Sequence, residues 1–233
     1  AKRQPGSSFK PFVYMSALEN GLQPNSLILD APFVLDQGKA LGKWKPENYG
    51  KKFYGPSTLR KGVENSRNLM TIRIAQYLGM DRITELAERT NIMSNMPPVL
   101  SMALGAGETS LIKLTSAYAS LANGGKKVEP SIIDRIQDRR GKNIFILDQA
   151  ICENCNQPYI EENPKPKIIN KSEIIFDEVN AYQMVSILKG AVDRGTGRKT
   201  KIEDIEIAGK TGTTNNNTAV SYTHLTLPTR TVV

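Results

Sequence analysis

Arg3-Gln4-Pro5-Gly6-Ser7-Ser8-Phe9-Lys10-Pro11 sets a turn directly before a helix. Pro5-Gly6 ends an extended or turning segment, and Pro11 is tolerated near a helix's first turn, where a missing N–H costs least. A helix is therefore predicted over residues 7–20, with Phe12, Met15 and Leu18 on one face and Gly21 as its stop. Ser7 and Lys10 stand three apart, so hydroxyl and amine share a helix face. A helix N-terminus favours a developing alkoxide. A neutral lysine, its pKa lowered by burial or by a nearby cation, can take the serine's proton. Ser-x-x-Lys by itself also occurs on surface helices that carry no chemistry.

Composition narrows the chemistry. The chain has 233 residues, 39% hydrophobic and 23% charged, enough for a buried core in one large domain or two small ones. It holds one histidine, His224, close to the C-terminal end, and two cysteines. A Ser-His-Asp or Cys-His site in the core is thereby disfavoured, and a His-rich zinc site is excluded. A nucleophile here needs activation by a lysine, a carboxylate or a metal. Net charge is +8. The bases are scattered except for Lys39, Lys43, Lys45, Lys51 and Lys52, which are interleaved with Trp44, Tyr49, Phe53 and Tyr54. That stretch could stack and hold a nucleic acid, but a solvated loop is the preferred reading, and no nucleic-acid partner is expected. No apolar run approaches the ~18 residues of a membrane span, and no signal peptide is visible.

Outward from the first helix, residues 22–64 are rich in Gly, Pro, Asn and Lys and read as irregular. A second helix is predicted over 68–78 with a stop at Gly79, and a third from an Asp81 N-cap to Arg89. Thr109 or Ser110 caps a helix carrying Leu111, Leu114, Ala117, Tyr118 and Leu121, ended by Gly124-Gly125. Residues 131–147 read as a hairpin turning at Asp138-Arg139-Arg140-Gly141, and 148–171 as a polar loop or insertion. Val179, Tyr182, Val185, Leu188 and Val192 have helical spacing over 177–193. Gly195 and Gly197 mark a flexible loop, and residues 205–208 a strand.

Two further elements bear on chemistry. Ser66-Arg67-Asn68 precedes a predicted helix and could be a plain cap, or could present a hydroxyl and a carboxamide to one site. Lys210-Thr211-Gly212-Thr213-Thr214 follows the strand. It could be a polar turn, or an edge whose lysine and threonines bind a carboxylate while Gly212 lets a substrate backbone approach. Ser-x-x-Lys, Ser-x-Asn and Lys-Thr-Gly in this order form the set found in penicillin-binding proteins and class A β-lactamases.

The resemblance extends to residues 3–11, 104–125 and 205–217, and covers residues 1 to about 218. These stretches resemble the transpeptidase domain of class A, bifunctional penicillin-binding proteins. The resemblance implies an α+β fold of the penicillin-binding/β-lactamase type, with a helical subdomain and an antiparallel sheet truncated in this chain. It implies a serine acyltransferase that cross-links peptidoglycan at the periplasmic face of the bacterial inner membrane, with a membrane anchor and a glycosyltransferase domain elsewhere in the parent. Carried onto this sequence, Ser7 would attack the D-Ala-D-Ala bond of a stem peptide and Lys10 would act as base. Ser66 would relay a proton to the leaving D-Ala, and Asn68 would bind the peptide backbone. Lys210 would orient Ser66 and attract the substrate carboxylate, which Thr211 and Thr213 would hydrogen-bond beside Gly212. The N–H groups of Ser7 and Thr213 would form the oxyanion hole. β-Lactams would acylate the same serine. No metal and no cofactor is implied.

Residues 219–233 depart from the family, resemble a translated sequencing-adapter read-through, and are expected to be a non-native tail that extends away or pairs loosely beside the Lys-Thr-Gly strand. With strands missing on both sides, the isolated chain is expected to be inactive. Cys152-Glu153-Asn154-Cys155 lies in the insertion, where a local disulfide is preferred over half a zinc site. A serine β-lactamase and a non-catalytic β-lactam sensor stay open as alternatives, and a basic polymer-binding module is a more distant one.

Overall fold

The computed structural model describes residues 1–39, 42–147, 151–156, 165–169 and 172–213, and the backbone of 227–228. Its centre is α1 (Lys10–Glu19), preceded by a 3₁₀ turn at Gly6–Phe9. Lys10 through Leu18 are all buried, including Phe12, Val13, Tyr14, Met15 and Ala17 on every side of the helix. A helix apolar all round must be enclosed, which corrects the single-faced expectation. It packs against α2 (Leu59–Glu64), α3 (Asn68–Leu78), α4 (Met80–Arg89) and α6 (Glu178–Asp193).

Short antiparallel ladders surround this helical core. β1 (Lys2–Arg3) pairs with β6 (Thr109–Ser110), β2 (Leu27–Asp30) with β5 (Gly55–Thr58), and β3 (Leu35–Asp36) with β4 (Lys43–Trp44). β7 (Arg135–Gln137) pairs with β8 (Asn143–Ile146), β9 (Ile151–Glu153) with β10 (Lys167–Ile169), and β11 (Ile207–Ala208) with β12 (Leu227–Pro228). The class is α+β. Among the described residues no helix is long and apolar enough to cross a membrane.

Several boundaries match the sequence reading. α3 covers residues 68–78 and ends at Gly79, while α5 (Leu111–Ala122) starts from the Ser110 side chain, which accepts the Lys113 N–H. α6 starts from Asp177, whose carboxylate accepts the Asn180 N–H at 3.1 Å. Cys152 and Cys155 are joined by a disulfide.

Other boundaries differ for local physical reasons. Residues 22–64 are not wholly irregular, since they hold β2, β5 and α2. Only Asp30 of β2 is fully buried, so the run lacks a clean apolar alternation, and α2 is too short to show a helical period. Gly79 rather than Asp81 is the residue before α4; its φ of +84° turns the chain between α3 and α4, and Asp81 falls in the first turn. The insertion contains the β9–β10 ladder across the disulfide-bearing segment. The predicted strand over 205–208 narrows to β11. The expected domain boundary after Thr218, the tail and His224 lie outside the described residues, except that the Leu227–Pro228 backbone pairs with β11.

The turn before α1 is held from beneath. The Gly105 carbonyl accepts the Gly6 N–H at 3.1 Å, the Tyr118 hydroxyl donates to the Ser8 carbonyl at 2.7 Å, and the Ser8 hydroxyl donates to Pro5 O at 2.6 Å. The Tyr118 ring meets Phe12 edge-on at 5.2 Å. Gly105 has φ +81°, and a Cβ there would strike the Gly6 backbone. Gly105→Ala is therefore expected to cost about 2 kcal/mol or more in chemical denaturation of the parent protein, from strained φ and overpacking together. A loss within experimental error would show that the Gly6 turn can move freely.

Candidate active site

Ser7 lies in the 3₁₀ turn and Lys10 opens α1, and the Lys10 N–H closes the turn on the Ser7 carbonyl. Lys10 is 0% exposed. Its Nζ donates to Ser66 O at 2.7 Å and to Asn68 Oδ1 at 2.5 Å, and lies 3.2 Å from Ser66 Oγ, whose hydroxyl can donate to the neutral amine.

Ser66 sits between α2 and α3 with φ +55°, a left-handed conformation that costs a non-glycine residue roughly 1 kcal/mol or more. Its N–H donates to Val63 O at 3.0 Å. The turn aims both the carbonyl and the hydroxyl of Ser66 at the amines. Lys210, just past β11 and 3% exposed, donates to Ser66 Oγ at 2.8 Å, to Thr211 O at 3.0 Å and to Thr211 Oγ1 at 3.3 Å. One hydroxyl thus lies between two buried amines.

No carboxylate pairs with either amine among the described residues. Burial first, and then the charge of Lys210, hold the Lys10 amine well below the usual lysine range. Burial lowers Lys210 to about 7. Desolvation and like-charge repulsion both oppose two ammonium groups here, so a neutral amine is available near neutral pH.

The structure therefore brings Lys10, Ser66, Asn68, Lys210 and Thr211 together by side chain. Ser7 and Thr213 join through main chain: the Ser7 N–H donates to the Thr213 carbonyl at 3.3 Å. The Ser7 N–H, expected from the sequence as an oxyanion donor, is thus engaged by the Thr213 carbonyl. The Asn68 carboxamide is engaged too, with Nδ2 donating to Glu47 O at 2.7 Å. Gly212 lies between these strand residues, half-buried.

Two neighbours escaped the sequence reading. The Thr196 hydroxyl is 2.9 Å from that of Thr211, and the Thr196 N–H donates to Glu64 O. A threonine between two glycines, Gly195 and Gly197, was a readable sign of close backbone approach. Asn48 accepts from the Asn68 N–H and was masked by the lysines and aromatics around it.

The arrangement sets one serine hydroxyl between two buried amines, next to the turn that carries Ser7. Residues 1–226 match the penicillin-binding protein transpeptidase domain, and the chain belongs to that family. It is 45% identical over 223 residues to penicillin-binding protein 1A of Rickettsia conorii, covering 93% of this chain and 28% of that protein. Penicillin-binding protein 1A of Neisseria flavescens is 39% identical over 220 residues. The crystal structure of penicillin-binding protein 1A from Haemophilus influenzae superposes on this chain with a TM-score of 0.76 at 34% identity, covering 92% of this chain and 35% of that one. PonA1 of Mycobacterium tuberculosis shares the fold, with a TM-score of 0.72 at 21% identity. The chain spans about 28% of the length of the Rickettsia relative.

Proposed function

We propose that the chain is the acyl-transfer part of a D,D-transpeptidase that cross-links peptidoglycan stem peptides and is acylated by penicillins. The observation that carries this reading is the Ser66 hydroxyl held between the buried amines of Lys10 and Lys210 beside the Ser7 turn. In the first half-reaction Ser7 Oγ forms an ester with the penultimate D-Ala carbonyl. Lys10 takes the hydroxyl proton, and Ser66 passes a proton to the departing amine as the C–N bond breaks. In the second, an acceptor amine of another stem peptide attacks the ester, forms the cross-link and returns Ser7 as the free hydroxyl. Lys210 with Thr211 and Thr213 holds the terminal carboxylate, and Asn68 meets the substrate backbone through its second amide N–H while the first stays on Glu47 O. The parent protein works at the periplasmic face of the inner membrane and carries a glycosyltransferase domain.

In the parent protein a fluorescent penicillin should label one site, mapped to the Ser7 peptide, and Ser7→Ala should abolish the label. Labelling that survives Ser7→Ala overturns the assignment. Rapid nitrocefin turnover in place of a persistent acyl-enzyme would favour a β-lactamase, and a labelled parent that forms no cross-links would favour a sensor.

A further inference from the structure

Asn48 and Asp30 belong to none of the three motifs, yet both are buried, at 4% and 0% exposure. Asn48 Oδ1 accepts the N–H groups of Asn68 at 2.9 Å and Leu69 at 3.3 Å. These are the first N–H groups of α3, whose own preceding residue, Arg67, makes no side-chain cap bond. Asn48 thus caps the helix from a distant loop.

A carboxamide has a sense. Oδ1 of Asn48 faces α3 because Nδ2 is bound on the other side, to Asp30 Oδ1 at 2.7 Å and to Lys52 O at 2.9 Å. The neighbouring residue sets Asn68 the same way: with Nδ2 on the Glu47 carbonyl, Asn68 Oδ1 faces Lys10 Nζ at 2.5 Å. Asp30 Oδ2 makes no hydrogen bond and lies 3.9 Å from Arg67 Nε, while the Arg67 guanidinium stacks 3.3 Å over the Tyr54 ring. A buried carboxylate left half-satisfied is a poor choice for stability alone.

We infer that Asp30 and Asn48 are positioning residues of the acylation site: the Asp30 carboxylate orients the Asn48 amide, which, with the Glu47 carbonyl, holds Asn68 Oδ1 against the Lys10 amine. The inference rests on the reading of Ser7 and Lys10 as the acylating pair. It differs from a fold-stabilising role in its effect on the folded molecule. A structural pair would lower the fraction of protein that can be labelled, whereas a positioning pair lowers the rate at which folded molecules react.

The test uses the parent protein and a chromophoric β-lactam, with the acylation rate constant, the noncovalent affinity and the final labelled fraction measured separately. Asn48→Ala should slow acylation by about 10- to 100-fold, the scale of a small misplacement of reacting groups. The labelled fraction should stay near that of the wild type, and the affinity should change less than the rate constant. Asn48→Asp sets two carboxylates face to face and should be equally slow. Adding Asp30→Asn to it restores an N–H···O bond of reversed sense, while the Lys52 carbonyl still lacks its donor, and should recover the smaller part of the rate. That exchange carries the test if Asn48→Ala fails to fold.

Acylation of folded Asn48→Ala within twofold of wild type overturns the inference. So does a double variant no faster than Asn48→Asp alone. Absence of labelling in the wild-type protein would instead overturn the reading of Ser7 and Lys10, and is distinguished by its independence of any change at Asn48.

Discussion

Lys10→Ala is expected to slow penicillin acylation of the parent protein by about 10²–10⁴-fold, the usual contribution of a positioned base. Stopped-flow kinetics measures it. The expectation rests on the position of the amine: fully buried, at the start of α1 three residues after Ser7, and within hydrogen-bond distance of three oxygens of Ser66 and Asn68. Lys10→Arg should fail comparably, because a guanidinium does not deprotonate and its fork does not fit three convergent oxygens. Folding should suffer less than activity. Alanine removes donors from Ser66 O and Asn68 Oδ1, but it also relieves the cost of burying an amine with no carboxylate partner. A Lys10→Ala protein that acylates within threefold of wild type would transfer the base to another group, Lys210 being the candidate through its contact with Ser66.

How much of this could be read without coordinates follows from how local each signal is. Ser7, Lys10, Ser66 and Lys210 drew notice only as an ordered set of three motifs, since each motif alone reads equally well as a surface helix, a cap or a polar turn. The conformation of Ser66 was not legible: φ +55° on a serine follows from the chain squeezed between α2 and α3, and composition carries no trace of it. The engagement of Ser7 N–H by Thr213 O was equally hidden, being a contact across more than two hundred residues. Asn48 was obscured by its own neighbours. In Lys45-Pro46-Glu47-Asn48-Tyr49 the exposed residues dominate the pattern, and Tyr49 is 98% exposed while Asn48 is buried beside it. Burial of a lone polar residue in a polar loop depends on what folds over it, here Asp30 and the start of α3.

Lys210→Met is expected to make the parent protein more stable at neutral pH and nearly inactive toward carboxylate-bearing acyl donors. In the folded protein burial lowers this amine to about 7, against about 10.4 in an unfolded chain. Between those values the unfolded state binds the extra proton, so stability rises with pH across roughly 7 to 10.4, and the full cost is present below that window. The penalty is on the order of a few kcal/mol, partly offset in the variant because Ser66 Oγ and Thr211 O lose a donor. Thermal unfolding at a series of pH values should show a smaller alkaline rise in midpoint for Lys210→Met than for wild type. Acylation should move the other way. Capture of a carboxylate needs the ammonium form, so in wild type it weakens as pH rises through about 7, and the variant lacks that dependence. Lys10 and Lys210 influence each other's charge, so the measured values belong to the pair. Equal stability slopes in variant and wild type, together with an unchanged acylation profile, would mean that Lys210 carries its proton throughout and neither costs stability nor gates the carboxylate.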